Sequence, residues 1–119
     1  MPSSYVPERG DLVWLQFDPR AGREQAGQRP ALVVSPKSYN RRVGLALFCP
    51  ITSRIKGYPF EVLLPAGLAI EGAVLSDQLK SLDLRARKAK HIARLPADAL
   101  EETVGKILAL IDPTDEAHS

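Results

Sequence analysis

Short runs of alternating apolar and polar residues, cut at close intervals by glycine and proline, fill the first four-fifths of this chain, and a helical period replaces them only near the end. That order limits the fold to a small, strongly curved sheet or barrel with one helix laid over a face. Residues 11–17 alternate: Val13, Leu15 and Phe17 share one side, and Leu12, Trp14 and Gln16 the other, as in a strand. Asp18-Pro19 stops the run, because proline disrupts a ladder. Residues 31–35 and 45–51 read as buried strands. Residues 60–64 alternate after the turn Gly57-Tyr58-Pro59, and 73–75 and 79–82 are further short strands. Residues 36–42 suit one short helical turn, and the basic stretch 85–91 reads as irregular, ending in a short strand. Pro96 suits the first turn of a helix. Within it Leu100, Val104, Ile107, Leu108 and Ile111 form one apolar stripe, and Asp112-Pro113 ends it. Residues 114–119 are expected to be a disordered tail.

One domain is expected over residues 1–119. No run of about 18 apolar residues occurs, so no membrane-spanning helix is expected. Met1-Pro2-Ser3-Ser4 lacks the charged and apolar regions of a secretion signal. Cys49 is the single cysteine and sits in an apolar run, where it reads as a small buried hydrophobe rather than a nucleophile. These features point to the cytoplasm. Net charge is only +2, but residues 1–95 carry a net +7 and residues 96–119 a net −5. A basic body with an acidic end suits a polyanionic partner such as nucleic acid.

The sequence lacks a phosphate-binding loop, a dinucleotide fingerprint and zinc spacing. His91 and His118 lie far apart, and the acids are scattered, so neither a transition-metal site nor a carboxylate cluster for magnesium is expected. A nucleic-acid enzyme built from these residues works without metal or other cofactor. RNA permits that, since its 2′-OH can attack the adjacent phosphate and expel the 5′ oxygen. The protein must accept one proton, supply another and stabilise charge on phosphorus. Residues 19–29 form a long polar loop with no large apolar side chain, the kind of loop that carries function in small domains. Arg29 ends it, directly before Pro30 and a buried strand; Glu24 and Gln25 lie within it. Thr52 and Ser53 follow the strand at 45–51. If the two strands are neighbours, Arg29 and Thr52 face one another across a rim; the plain alternative is that each finishes a strand.

The runs Gly10-Asp11-Leu12-Val13-Trp14, Phe17-Asp18-Pro19, and Gly22-x-Glu24-Gln25-Ala26-Gly27-x-Arg29-Pro30-Ala31 resemble the MazF/PemK family of toxin endoribonucleases. So do Ser35-Pro36 with Tyr39-Asn40, Pro50-Ile51-Thr52-Ser53, Lys56-Gly57-Tyr58-Pro59-Phe60-Glu61-Val62, and Ser76-Asp77-Gln78-Leu79-Lys80-Ser81. The likeness spans residues 5–112 and fits the MazF branch better than the PemK branch. It implies a mainly β fold with a C-terminal helix (α+β), an SH3-like antiparallel barrel, and a two-fold homodimer. It also implies the toxin of a type II toxin–antitoxin system, cutting single-stranded RNA at a short sequence to leave a 2′,3′-cyclic phosphate and a 5′-OH.

By that resemblance the catalytic pair is Arg29 and Thr52. Arg29 stabilises the phosphate and assists the leaving group, and Thr52 orients the phosphate by hydrogen bonding. A guanidinium is a poor base, so Glu24 is assigned the 2′-OH proton. Arg23, Arg54, Lys56 and Lys80 are expected on phosphates. Gln25, Asn40, Asp77 and Gln78 are expected on base edges, and Phe17, Pro50 and Tyr58 on base faces. Asp18, Gln28 and Ser53 complete the expected RNA surface. Two departures stand out: some relatives carry His where this chain has Gln28 and Asp where it has Gln16. The implied inhibitor is an acidic antitoxin of the MazE kind, whose disordered tail folds into the basic groove. Two alternatives stay open, a toxin of this fold class that grips DNA gyrase, and a relative that binds RNA without cutting it.

Overall fold

The computed structural model describes residues 5–16 and 27–112. Among the described residues ten elements follow in chain order: β1 (Asp11–Gln16), β2 (Gln28–Val33), α1 (Lys37–Val43), β3 (Leu45–Thr52), β4 (Glu61–Leu63), β5 (Ala73–Leu75), β6 (Lys80–Asp83), α2 (Leu84–Arg87), β7 (Lys90–Arg94) and α3 (Ala97–Ile111). Every strand pairing is antiparallel, and the spatial order is β4-β5-β3-β2-β1-β7, with β6 also paired to β3. β3 is the hub because it is long enough to serve three partners. It meets β2 along Phe48–Pro50, β6 along 45–48 and β5 at Ile51 and Thr52. Among the described residues no ladder joins β4 to β7, so the curved sheet stays open and the expected barrel is not closed.

The two-residue period sorts the strands' side chains into two apolar clusters. Leu12, Leu32, Cys49, Ile51, Val62 and Val74 lie on one face with Leu95 and Ile107, and Leu100 and Val104 of α3 pack against them. Val13, Leu15, Ala31, Val33, Ala46 and Phe48 fill the other, covered by Leu82, Leu84 and Ala89 from the segment leading into β7. Burial on both faces is why β2 and β3 read in the sequence as near-continuous apolar runs. Each large side chain so enclosed contributes about 1.5–3 kcal/mol. Cys49 is fully buried, and that burial, reinforced by the Asp77 charge, pushes its thiol up to about 12.

Three expectations need correction. The basic stretch after β6 is ordered: Asp83 caps α2 by accepting the N–H groups of Arg85 and Ala86 (2.8 and 3.2 Å), and β7 then pairs with β1. The stripe of α3 outlasts the surface it covers, so Leu108 is 51% and Ile111 66% exposed. Asn40, expected on a base edge, is instead enclosed within the fold. It is fully buried on α1, its amide donates to the carbonyls of Pro7 (2.8 Å) and Ser35 (3.1 Å), and its side-chain oxygen accepts the Ser35 hydroxyl. Both amide hydrogens are thus used inside the chain, and burial closes the side chain to solvent. Among the described residues no helix is long and apolar enough to cross a membrane. The expected tail at 114–119 lies outside the described residues.

Candidate active site

The β2–β3 ladder pairs Ala31 with Pro50, Leu32 with Cys49 and Val33 with Phe48. Continued two residues toward the sheet's rim, that register sets Arg29 opposite Thr52. Pro30 intervenes and has no N–H to give, so the regular ladder stops just where these two side chains begin. Arg29 is exposed and paired across β1 with Leu15; Thr52 is half-buried and paired with Ala73 of β5. The strands are thus neighbours, as the facing arrangement of Arg29 and Thr52 requires.

The Thr52 hydroxyl accepts the Arg54 N–H at 3.0 Å. Its own hydrogen remains to be donated, the group needed to hold a phosphate oxygen. Behind it the chain has no slack. Gly72 has φ +136°, and a Cβ there would lie 2.3 Å from the Thr52 carbonyl oxygen. Only glycine combines that φ with so close an approach of two backbones.

Beside Thr52 opens a cavity of about 300 Å³, lined by Thr52, Arg54, Lys56, Tyr58, Glu61, Leu75, Asp77 and Gln78. Six of these were expected at an RNA surface. Arg54 and Lys56 supply positive charge, and Tyr58 is 44% exposed. Its hydroxyl donates to Asp77 Oδ2 at 2.5 Å; this bond, with the desolvation and negative charge around it, raises the phenol above its ordinary range. The other Asp77 oxygen, Oδ1, is enclosed and has no hydrogen-bond partner. The chain therefore sets cations, an aromatic ring and an under-used acceptor around one cavity, which suits a nucleotide's phosphate and base.

Other expected residues fall elsewhere. Pro50 lies opposite Ala31, Lys80 opposite Phe48 on β6, and Gln28 at the start of β2; with exposed Ser53 they stand outside the cavity lining. Phe17, Asp18, Arg23, Glu24 and Gln25 lie outside the described residues. Gln16 and Gln28, the two departures noted in the sequence, are direct partners in the β1–β2 ladder next to Arg29, and Gln16 Oε1 is buried without a partner. The two departures are thus one cross-strand pair.

Sequence reasoning missed Glu61 and Leu75. Leu75 is the apolar wall. Glu61 binds its own backbone: its carboxylate accepts the N–H groups of Lys56 (3.1 and 3.2 Å), Gly57 (3.0 Å) and Tyr58 (3.3 Å). Gly57 makes that turn possible with φ +77°. An acid four residues after a turn glycine was the available signal. Among the described residues no three His, Cys, Asp or Glu side chains gather as a metal site would require.

The chain thus joins an open antiparallel sheet under a C-terminal helix to a polar cavity in which Arg54 and Lys56 stand beside Glu61 and Asp77, with Thr52 on its wall. A family model described as PemK-like, MazF-like toxin of type II toxin–antitoxin system matches residues 8–111, and the chain belongs to this family. It is 48% identical over 111 residues to the endoribonuclease toxin MazF of Escherichia coli K12, covering 93% of this chain and 99% of that one. Among solved structures, a MazE–MazF crystal structure from Deinococcus radiodurans is similar, with TM-score 0.82, 51% identity, and 92% and 98% of the two chains covered. A crystal structure of MazF from that organism matches with TM-score 0.82 and 56% identity, over 91% and 98% of the chains.

Proposed function

We propose that this protein is the toxin of a type II toxin–antitoxin pair and a metal-independent endoribonuclease that cuts single-stranded RNA at a short sequence in the cytoplasm, thereby inhibiting translation. Family membership and relatives named as endoribonucleases support the class of activity. The observation that supports the chemistry is the β2–β3 register, which runs to Ala31 and Pro50 and, continued two residues, brings Arg29 opposite Thr52, a lining residue of the cavity with Arg54, Lys56, Tyr58 and Asp77.

In this reading the scissile phosphate lies between Arg29 and Thr52. The guanidinium fork takes two phosphate oxygens, and Thr52 donates its hydroxyl hydrogen to phosphate, held in place by the Arg54 amide. The 2′-OH gives its proton to Glu24 and attacks phosphorus. The P–O5′ bond breaks, and the departing oxygen takes a proton from solvent, assisted by the Arg29 guanidinium, which stabilises its charge. The products are a 2′,3′-cyclic phosphate and a 5′-OH, with no external nucleophile and no metal. Lys56 and Arg54 hold neighbouring phosphates, and Tyr58, Asp77 and Gln78 meet a base. Arg23, Phe17, Asp18, Gln25, Gln28, Pro50, Ser53 and Lys80 extend that surface. A homodimer and an acidic antitoxin occluding the same surface complete the proposal; solved complexes titled MazE–MazF support a protein partner of that kind.

The test is incubation of the purified protein and its Arg29→Ala variant with a long unstructured RNA in EDTA, with cut ends mapped by primer extension. Discrete cuts at one short sequence, absent from the variant, are expected. An intact RNA with folded, antitoxin-free protein, or cutting that EDTA abolishes, would overturn the reading.

A further inference from the structure

The turn between β3 and β4 carries Lys56 and Tyr58 to the cavity and belongs to no helix or strand, yet its backbone is fastened on two sides. From within, the Glu61 carboxylate gathers the amides of Lys56, Gly57 and Tyr58. From behind, Lys106 of α3 donates from Nζ to the Pro59 carbonyl at 2.7 Å. Lys106 is 47 positions from Pro59, its side chain is only 29% exposed, and its ion pair with Glu102 is loose at 4.0 Å. Its best-formed polar contact is therefore with the turn, and Lys106 is absent from the cavity lining.

We infer that Lys106 is a positioning residue: from outside the cavity lining it holds the turn in the conformation that presents Lys56 and Tyr58 to RNA. The inference rests on the RNA-cleaving role proposed for the cavity. A charged donor on a backbone carbonyl bonds more strongly than a neutral one, and at this exposed position solvent offsets part of that gain. A turn held before RNA arrives does not lose that freedom on binding, and preorganisation of this kind improves affinity. α3 thus does two jobs with one helix: Leu100, Val104 and Ile107 cover the sheet, and Lys106 sets the geometry of the binding turn.

The test compares wild type with Lys106→Met, which keeps the apolar stem and loses the donor, and with Lys106→Arg, which keeps a donor. Steady-state cleavage is measured on the RNA that the wild type cuts. Binding is measured on a DNA copy of the cut sequence over a range of salt, and amide exchange of Gly57 and Tyr58 is followed by NMR. Lys106→Met is expected to raise KM about 3- to 10-fold, with a smaller change in kcat. It is expected to speed exchange at both amides and leave the salt slope of binding unchanged. Lys106→Arg restores most of the loss. Unchanged KM and unchanged exchange in Lys106→Met would overturn the inference. So would a salt slope lower by about one, which would make Lys106 a phosphate ligand. If the wild type cuts no RNA, the catalytic reading fails, while the exchange measurement still decides whether Lys106 holds the turn.

Discussion

The two ends of β3 use the same kinds of residue for opposite purposes. At the Leu45 end, Ser35 and Asn40 bond to each other, to the Pro7 and Ser35 carbonyls and to the Leu47 N–H, all beneath the surface. Asp11 is enclosed in a similar way by Tyr5, the Glu8 amide and Arg94. At the Thr52 end, hydroxyl, phenol and carboxylate also meet, but around a cavity: Arg54 and Lys56 stay exposed, and one Asp77 oxygen has no partner. A polar group that interrupts an apolar sequence is thus either a fastener, with its bonds completed inside the chain, or a site, with bonds left for a ligand. An unmade buried bond costs free energy, so a donor brought to Asp77 Oδ1 would be held favourably.

The largest effect that would break this comparison lies at the open end. Arg29→Ala and Thr52→Ala are each expected to slow RNA cleavage about 10²- to 10³-fold, the usual cost of removing one preorganised charge-stabilising donor, while the thermal midpoint stays near the wild type's. Next comes Gly72→Ala, which forces a Cβ against the Thr52 carbonyl at a positive φ. Strain and overpacking together cost about 2–5 kcal/mol. Urea unfolding should show that loss, and whatever folds should cut RNA poorly because Thr52 has moved. At the closed end, Asn40→Ala leaves the buried Pro7 and Ser35 carbonyls without their donor and is expected to cost about 2–3 kcal/mol in urea unfolding. Its cleavage rate per folded molecule should be unchanged.

The effect that is smallest near neutral pH is pH-linked. Cys49 is raised in the folded state from 9.0 to about 12, so it favours folding below about pH 9, and that contribution is lost as pH rises toward 12. The native thiol should resist a disulfide reagent at pH 8 and react on unfolding. Rapid labelling of folded protein would mean the cluster around it is open.

The strands were legible because Val13, Leu15, Ala31 and Phe48 keep a period of two and proline and glycine mark the breaks. The order of α2 was not, since its signal is Asp83 receiving two amides in a run dominated by basic residues. Leu108 and Ile111 extend the stripe of α3 in sequence, but whether a surface lies beneath them depends on where the sheet stops. Thr52, Arg54, Lys56, Tyr58, Asp77 and Gln78 were assigned together from the family resemblance, and they do share a cavity. Asn40 looked equivalent to them, since the bonds that bury it come from Pro7 and Ser35, contacts that only the folded chain supplies. Lys106 was illegible for the same reason: Pro59, 47 residues away, defines its task.

The most direct measurement places Thr52→Ala beside Asn40→Ala and determines both urea stability and the initial rate of RNA cleavage in EDTA for each. A crossed result is expected: Thr52→Ala keeps its stability and loses cleavage, and Asn40→Ala loses stability and keeps its rate per folded molecule. If Thr52→Ala cuts at the wild-type rate, or Asn40→Ala loses cleavage without losing stability, the division between a sealed and an open end of β3 is wrong.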